Sequence, residues 1–88
     1  MIFVSLGKMR KKPDKEMVDK ATKVIGDQLG KMGIRIISWY WTLGRYDVVF
    51  VFEAANEKEA LKTALVTAEF VASETLVAIP REEAIKLL

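Results

Sequence analysis

Residues 34–53 read IRIISWYWTLGRYDVVFVFE, two runs rich in β-branched and aromatic residues separated by Gly44-Arg45. Such residues favour strands, and a glycine between two runs of them supplies the backbone torsion that a tight turn requires. The spacing therefore predicts a β-hairpin with strands at Ile34–Leu43 and Tyr46–Glu53. Side chains alternate across a strand. In the first strand Ile37, Trp39 and Trp41 fall on one side, with Ile36, Ser38, Tyr40 and Thr42 on the other. In the second, Tyr46, Val48, Phe50 and Phe52 oppose Asp47, Val49, Val51 and Glu53. Neither side of either strand is polar enough to face water, so a sheet built on this hairpin needs cover on both faces.

Before the hairpin, Ile2–Leu6 reads as a short strand with Ile2, Val4 and Leu6 on one face and Phe3 and Ser5 on the other. Gly7 and the basic residues Lys8, Arg10, Lys11 and Lys12 then form a loop. Pro13 suits the first turn of a helix, and Asp14 and Glu16 complement the positive end of its dipole. Met17, Ala21, Val24, Ile25, Leu29 and Met32 recur at helical spacing, and the helix ends near Gly30 to Gly33. After the hairpin, Asn56 and Glu59 make a capping box ahead of an apolar stripe of Ala60, Leu61, Ala64, Leu65 and Ala68. Val71–Ile79 is a fourth strand, and Pro80 opens a short final helix carrying Ala84, Ile85, Leu87 and Leu88.

The order β-α-β-β-α-β predicts an α+β, ferredoxin-like fold: a four-stranded antiparallel sheet with two helices on one face and a short C-terminal helix. Two helices shelter only one face. Large exposed apolar patches mark interaction sites, so the bare face is expected to pair with a second copy of the chain, with Ile85, Leu87 and Leu88 against the partner.

Length and composition agree with one globular unit spanning residues 1–88. The chain is 51% hydrophobic and 30% charged, enough for a core and a solvated surface. It has no Cys and no His, which excludes disulfides and removes the usual ligands of zinc, haem and iron–sulfur centres. No metal and no cofactor are expected. The net charge of +2 is too balanced to imply nucleic acid or an anionic membrane as partner. No apolar run reaches the length of a membrane span, and Met1–Val4 leads into polar residues too soon for a signal peptide, so the expected location is cytoplasmic. One Asn and one Gln beside 26 charged residues is a bias shared by many heat-adapted proteins.

Around the turn the chain reads Thr42-Leu43-Gly44-Arg45-Tyr46-Asp47, and its Gly-x-Tyr-Asp resembles the signature of the GYD domain family of small prokaryotic proteins. Glu53-Ala54 before a capped Ala-rich helix, then Ser73-Glu74-Thr75-Leu76 and a closing acidic helix, extend the resemblance across nearly the whole chain. It implies membership of the dimeric α/β-barrel superfamily, in which two ferredoxin-like sheets face each other. It assigns no catalytic residue. The bulky Trp39-Tyr40-Trp41 cluster departs from the family's pattern and bears on how much cavity such a barrel keeps.

Four residues are candidates for binding a ligand. Trp39 and Trp41, two positions apart, suit either the wall of an apolar pocket between the sheets or an ordinary core or interface. Tyr46 either finds a structural hydrogen-bond partner or donates to a ligand. Asp47 either accepts backbone hydrogen bonds near the turn or sits at a barrel mouth as a base or anchor. Two functions are expected: a homodimeric barrel holding a small, partly apolar molecule between its sheets, or, as the resemblance to the barrel superfamily allows, a cofactor-independent oxygenase or isomerase with Asp47 as base, Tyr46 as donor and a tryptophan as wall.

Other chemistry lacks its residues. Ser5, Ser38 and Ser73 have no activating His or Cys partner, and no Gly-rich phosphate loop occurs. The RNA-recognition motif shares the strand order and stacks bases on aromatics of strands one and three. Ile2-Phe3-Val4 matches its first motif and Arg45 and Phe52 the ends of its second, but Tyr46, Asp47, Val48 and Val49 break the pattern between them. Glu74 and Thr75 are expected to make cross-strand contacts.

Overall fold

The computed structural model describes residues 1–88. In chain order its elements are β1 (Ile2–Met9), α1 (Lys15–Lys31), β2 (Arg35–Trp41), β3 (Val48–Glu53), α2 (Glu57–Thr67), β4 (Val71–Ala78) and α3 (Arg81–Ile85). The strands form one antiparallel sheet in the order β2-β3-β1-β4, the ferredoxin-like α+β arrangement expected. No helix is long and apolar enough to cross a membrane.

Helix α1 starts later than Pro13 implied. Asp14 is in an extended conformation and its carboxylate accepts the Met17 N–H at 2.8 Å, which makes it the N-cap and leaves Pro13 outside the helix. The other end closes as a Schellman motif, with Ile34 N–H bonded to the Leu29 carbonyl at 3.0 Å and Gly33 N–H to that of Gly30 at 3.2 Å. This use of Ile34 delays β2 to Arg35. Helix α2 is capped by Asn56, whose side chain accepts the Glu59 N–H at 3.0 Å, as the capping box implied. Its buried face differs from the expected stripe: Ala60, Thr63 and Thr67 point inward, whereas Leu61 and Leu65 are 60% and 68% exposed. The threonines are tolerated inside because their hydroxyls bond back to helix carbonyls, Thr63 to Glu59 at 3.4 Å and Thr67 to Thr63 at 3.1 Å.

Strand β1 does not stop at Leu6. Pairing with β4 continues to Met9, opposite Val71, so Gly7 lies inside the strand rather than in a loop. A Cβ at Gly7 would stand 2.8 Å from Val48 Cγ2, closer than such contacts occur. The glycine is required by the neighbouring strand, not by a turn.

The hairpin is wider than a two-residue turn. Thr42 to Asp47 connect β2 and β3, Gly44 takes a positive φ of 106°, and Thr42 donates from N–H to the Asp47 carbonyl at 2.7 Å and from Oγ1 to the Tyr46 carbonyl at 2.6 Å. Asp47 N–H bonds instead to the Gly7 carbonyl at 2.8 Å, which draws the segment toward β1.

A register shift in β2 reassigns its faces. Ile36 stands opposite Phe52 but Ser38 opposite Val51, so Ile37 is the extra residue of a β-bulge. Trp39 then pairs with Phe50 and Trp41 with Val48. Since Phe50, Phe52 and Val48 are buried on the helix side, Ile36 joins the tryptophans there, contrary to the strict alternation that grouped them with Ile37.

The core lies between this side of the sheet and the helices. Phe3, Phe50 and Phe52 stack with centroids 5.5 and 5.2 Å apart, Trp39 meets Phe50 edge-on at 5.3 Å, and Ile25, Leu29, Ile34, Ala54 and Ala60 close over them. The opposite face has no helix. Partner registers place Ile2, Val4, Leu6, Val49, Val51 and Leu76 there, and none is buried.

Candidate functional site

Between α1 and the sheet is a partly open cavity of about 250 Å³. Met17, Val18, Ala21, Thr22 and Ile25 supply the helical wall. The strands supply the floor: Ser5 and Met9 from β1, Val48 and Phe50 from β3, and Val71 from β4. Thr67 and Phe70 close one end. Trp39 and Trp41 are the contribution of β2.

The cavity exists because small residues stand where large ones would fill it. Ala21 on the helix and Ser5 on β1 are the small residues of its lining. Eleven of the fourteen lining residues are hydrophobic and none carries a charge. The Thr67 hydroxyl is bonded to helix carbonyls, and the hydroxyls of Ser5 and Thr22 make no hydrogen bond within the protein. The lining can therefore receive an apolar body and offer a few hydroxyl groups, as small-molecule sites do.

The four residues marked in the sequence are not gathered into one place. Trp39 and Trp41 do share a wall, but on the helix side of the sheet rather than on the face that would meet a second sheet. The bulge at Ile37 is the cause. Tyr46 works at the other side: its hydroxyl donates to Glu74 Oε2 at 3.0 Å, and Glu74 stands opposite Leu6 on the helix-free face. Glu74 thus bonds to the hairpin connection rather than making the contact with a neighbouring strand expected of it.

Asp47 acts on backbone. Its Oδ2 accepts the Met9 N–H at 2.8 Å, while its own N–H and carbonyl are held by Gly7 and Thr42. The bonds to Met9 and Gly7 tie the hairpin connection to the end of β1, and the bond from Thr42 closes the connection on itself. Asp47 and Trp41 border one shallow groove, yet Asp47 does not line the cavity, and Tyr46 lines neither. Base, donor and aromatic wall therefore do not converge on one volume.

Sequence reasoning missed the residues that shape the cavity from outside β2. Ala21 and Ile25 were assigned to the helix stripe, but Met9, Val48 and Val71 meet only through pairing across β3, β1 and β4. No group of three or more His, Cys, Asp or Glu side chains is placed to hold a metal ion. Phe3, Phe50 and Phe52, the aromatics that an RNA platform would display, are buried in the core.

Glu53, at the far end of β3, has its carboxyl displaced from the ordinary range. A hydrogen bond from Arg35, Nε to Oε1 at 3.2 Å, and then the guanidinium charge hold it below its ordinary range. Both side chains are largely solvent-exposed, so the pair fastens β2 to β3 weakly.

No curated protein matches the chain in sequence. The profile of the GYD domain matches residues 4–88, which takes in the sheet, its helices, the cavity wall and the Gly44-Arg45-Tyr46-Asp47 connection clamped onto β1. The chain belongs to the GYD domain family.

Proposed function

We propose that the protein is a homodimeric α/β barrel that binds a small, mostly apolar molecule in the cavity beneath α1 of each subunit. The cavity carries the reading: an uncharged volume of about 250 Å³ walled by both of the chain's tryptophans. An apolar cavity of about 150 Å³ stays dry and takes benzene, so this one suits one or two fused rings. Pairing is supported by the helix-free face. Only 12 of 88 residues are buried in the single chain, and the apolar centre of that face contributes none of them. A small domain gains most from covering such a surface. The clamped geometry of Asp47 favours binding over the oxygenase or isomerase alternative.

Two measurements test the parts separately. Val51→Asp places a charge at the centre of the helix-free face, outside the monomer core, and is expected to convert a dimer to a folded monomer in sedimentation velocity. A parent protein already monomeric at micromolar concentration would remove the pairing. For binding, a thermal-shift screen of planar apolar compounds should find ligands whose effect disappears in Ala21→Phe, which fills the cavity. A ligand at a hundred times its Kd adds about 2.7 kcal/mol of stability. A flat response in the parent protein would defeat the binding proposal.

A further inference from the structure

The mouth of the cavity, taken as the grooves that share lining residues with it, has a charge that its interior lacks. Two shallow grooves adjoin it: one shares Met17 and Phe70 with the cavity, the other Met9 and Trp41. Both are lined by Arg10 and Lys11; the first adds Lys20 and Glu69, the second Lys12 and Asp47.

These cations differ in what occupies them. Arg10 donates from Nε to the Ala68 carbonyl at 2.6 Å, and its N–H bonds to the Phe70 carbonyl at 3.0 Å, so it fastens the end of β1 to the end of α2. The protein's two ion pairs are Arg35–Glu53 and Lys62–Glu59, and neither involves the mouth. Lys11, Lys12 and Lys20 are therefore exposed ammonium groups without a carboxylate partner. Of the two acids present, Asp47 is already accepting the Met9 N–H. Four basic residues against two acidic ones leave the mouth positive, beside a cavity with no charge at all.

An uncharged apolar chamber with unpaired ammonium groups at its opening is complementary to one kind of small molecule. We infer that the ligand is an amphipathic anion: a planar apolar ring system carrying a carboxylate, with the rings between α1 and the tryptophans and the carboxylate outside, at Lys11 and Lys12. This rests on the cavity reading above. It adds the charge, the polarity of entry and the residues that select for it. The interior cannot host the carboxylate, because no cation lies inside to offset its desolvation. At the mouth the anion keeps much of its water and gains attraction from ammonium groups that otherwise repel one another.

The experiment compares 2-naphthoate with the neutral 2-naphthalenemethanol by isothermal titration calorimetry, on the parent protein and on Lys11→Glu/Lys12→Glu. Both lysines are exposed in the segment between β1 and α1, so the double variant keeps the core intact, which its unfolding curve verifies. Naphthoate should bind the parent at least about fivefold more tightly than the alcohol, as expected of one or two exposed ion pairs. That advantage should fall as salt rises and vanish in the double variant, while the alcohol's affinity stays constant. Equal affinities for the two compounds, or a naphthoate affinity unmoved by the charge reversal, would overturn the anion inference and leave the apolar cavity standing. Binding of neither compound would defeat the cavity reading itself, and the anion inference with it.

Discussion

Replacing Asp47 separates a structural from a catalytic role for the acid of the Gly-x-Tyr-Asp connection. In Asp47→Ala the Met9 N–H, partly buried at the end of β1, loses a charged acceptor at 2.8 Å. A hydrogen bond to a charged group contributes about 1.5–3 kcal/mol, and an unsatisfied donor costs about 1–3 kcal/mol, so a loss of about 2 kcal/mol is expected. For a domain of this length each kcal/mol moves the midpoint by about 4–8 °C, which gives a fall of about 8–16 °C. Asp47→Asn keeps an acceptor of the same reach without the charge and should recover more than half of the loss. The assay is urea unfolding followed by the fluorescence of Trp39 and Trp41, at one fixed protein concentration because self-association adds to apparent stability. The slope m should not change, since the variants leave the buried surface as it was. An Ala variant within about 0.5 kcal/mol of the parent, the range of an inconsequential surface change, would refute the clamp. Equal losses in the two variants would show that charge, not hydrogen-bond acceptance, is what β1 requires.

Gly7→Ala should cost about 1–3 kcal/mol through overpacking against Val48 Cγ2, and Val48→Ala introduced beside it should restore part of the loss; additive effects in the double variant would disprove the contact. The Glu53–Arg35 pair gives a pH dependence. The folded carboxyl lies below its ordinary value of 4.5, so its contribution to stability is complete above about that pH and disappears as pH falls through the depressed value. An NMR titration of the Glu53 side chain should show this, and Arg35→Ala should return it to the ordinary range; an unmoved titration would remove Arg35 as the cause.

The order of elements was legible because each signal was local. Capping at Asn56, the closing glycines of α1 and the alternation along β1 and β3 need no knowledge of distant partners. The misread features depend on what lies across the sheet or around a helix. Gly7 resembles a strand terminator, but its reason is Val48, which only strand pairing brings beside it. Thr63 and Thr67 look like surface positions next to Leu61 and Leu65 until their hydroxyls are seen to turn back on the helix. The Met9 N–H that Asp47 accepts lies 38 residues away in sequence. The tryptophans were identified as a pair, but not the side they occupy, because no glycine or proline marks the bulge at Ile37.

That one surplus residue in β2 couples two properties that would otherwise vary independently. Were β2 to slide by a single position and erase the irregularity, both indoles would turn outward together. The chamber would lose its far wall at the same moment that the helix-free face gained two large apolar rings, of which Trp41 is already 55% exposed where it stands. Ligand affinity and the tendency to self-associate are thus set in opposite directions by how one isoleucine is accommodated.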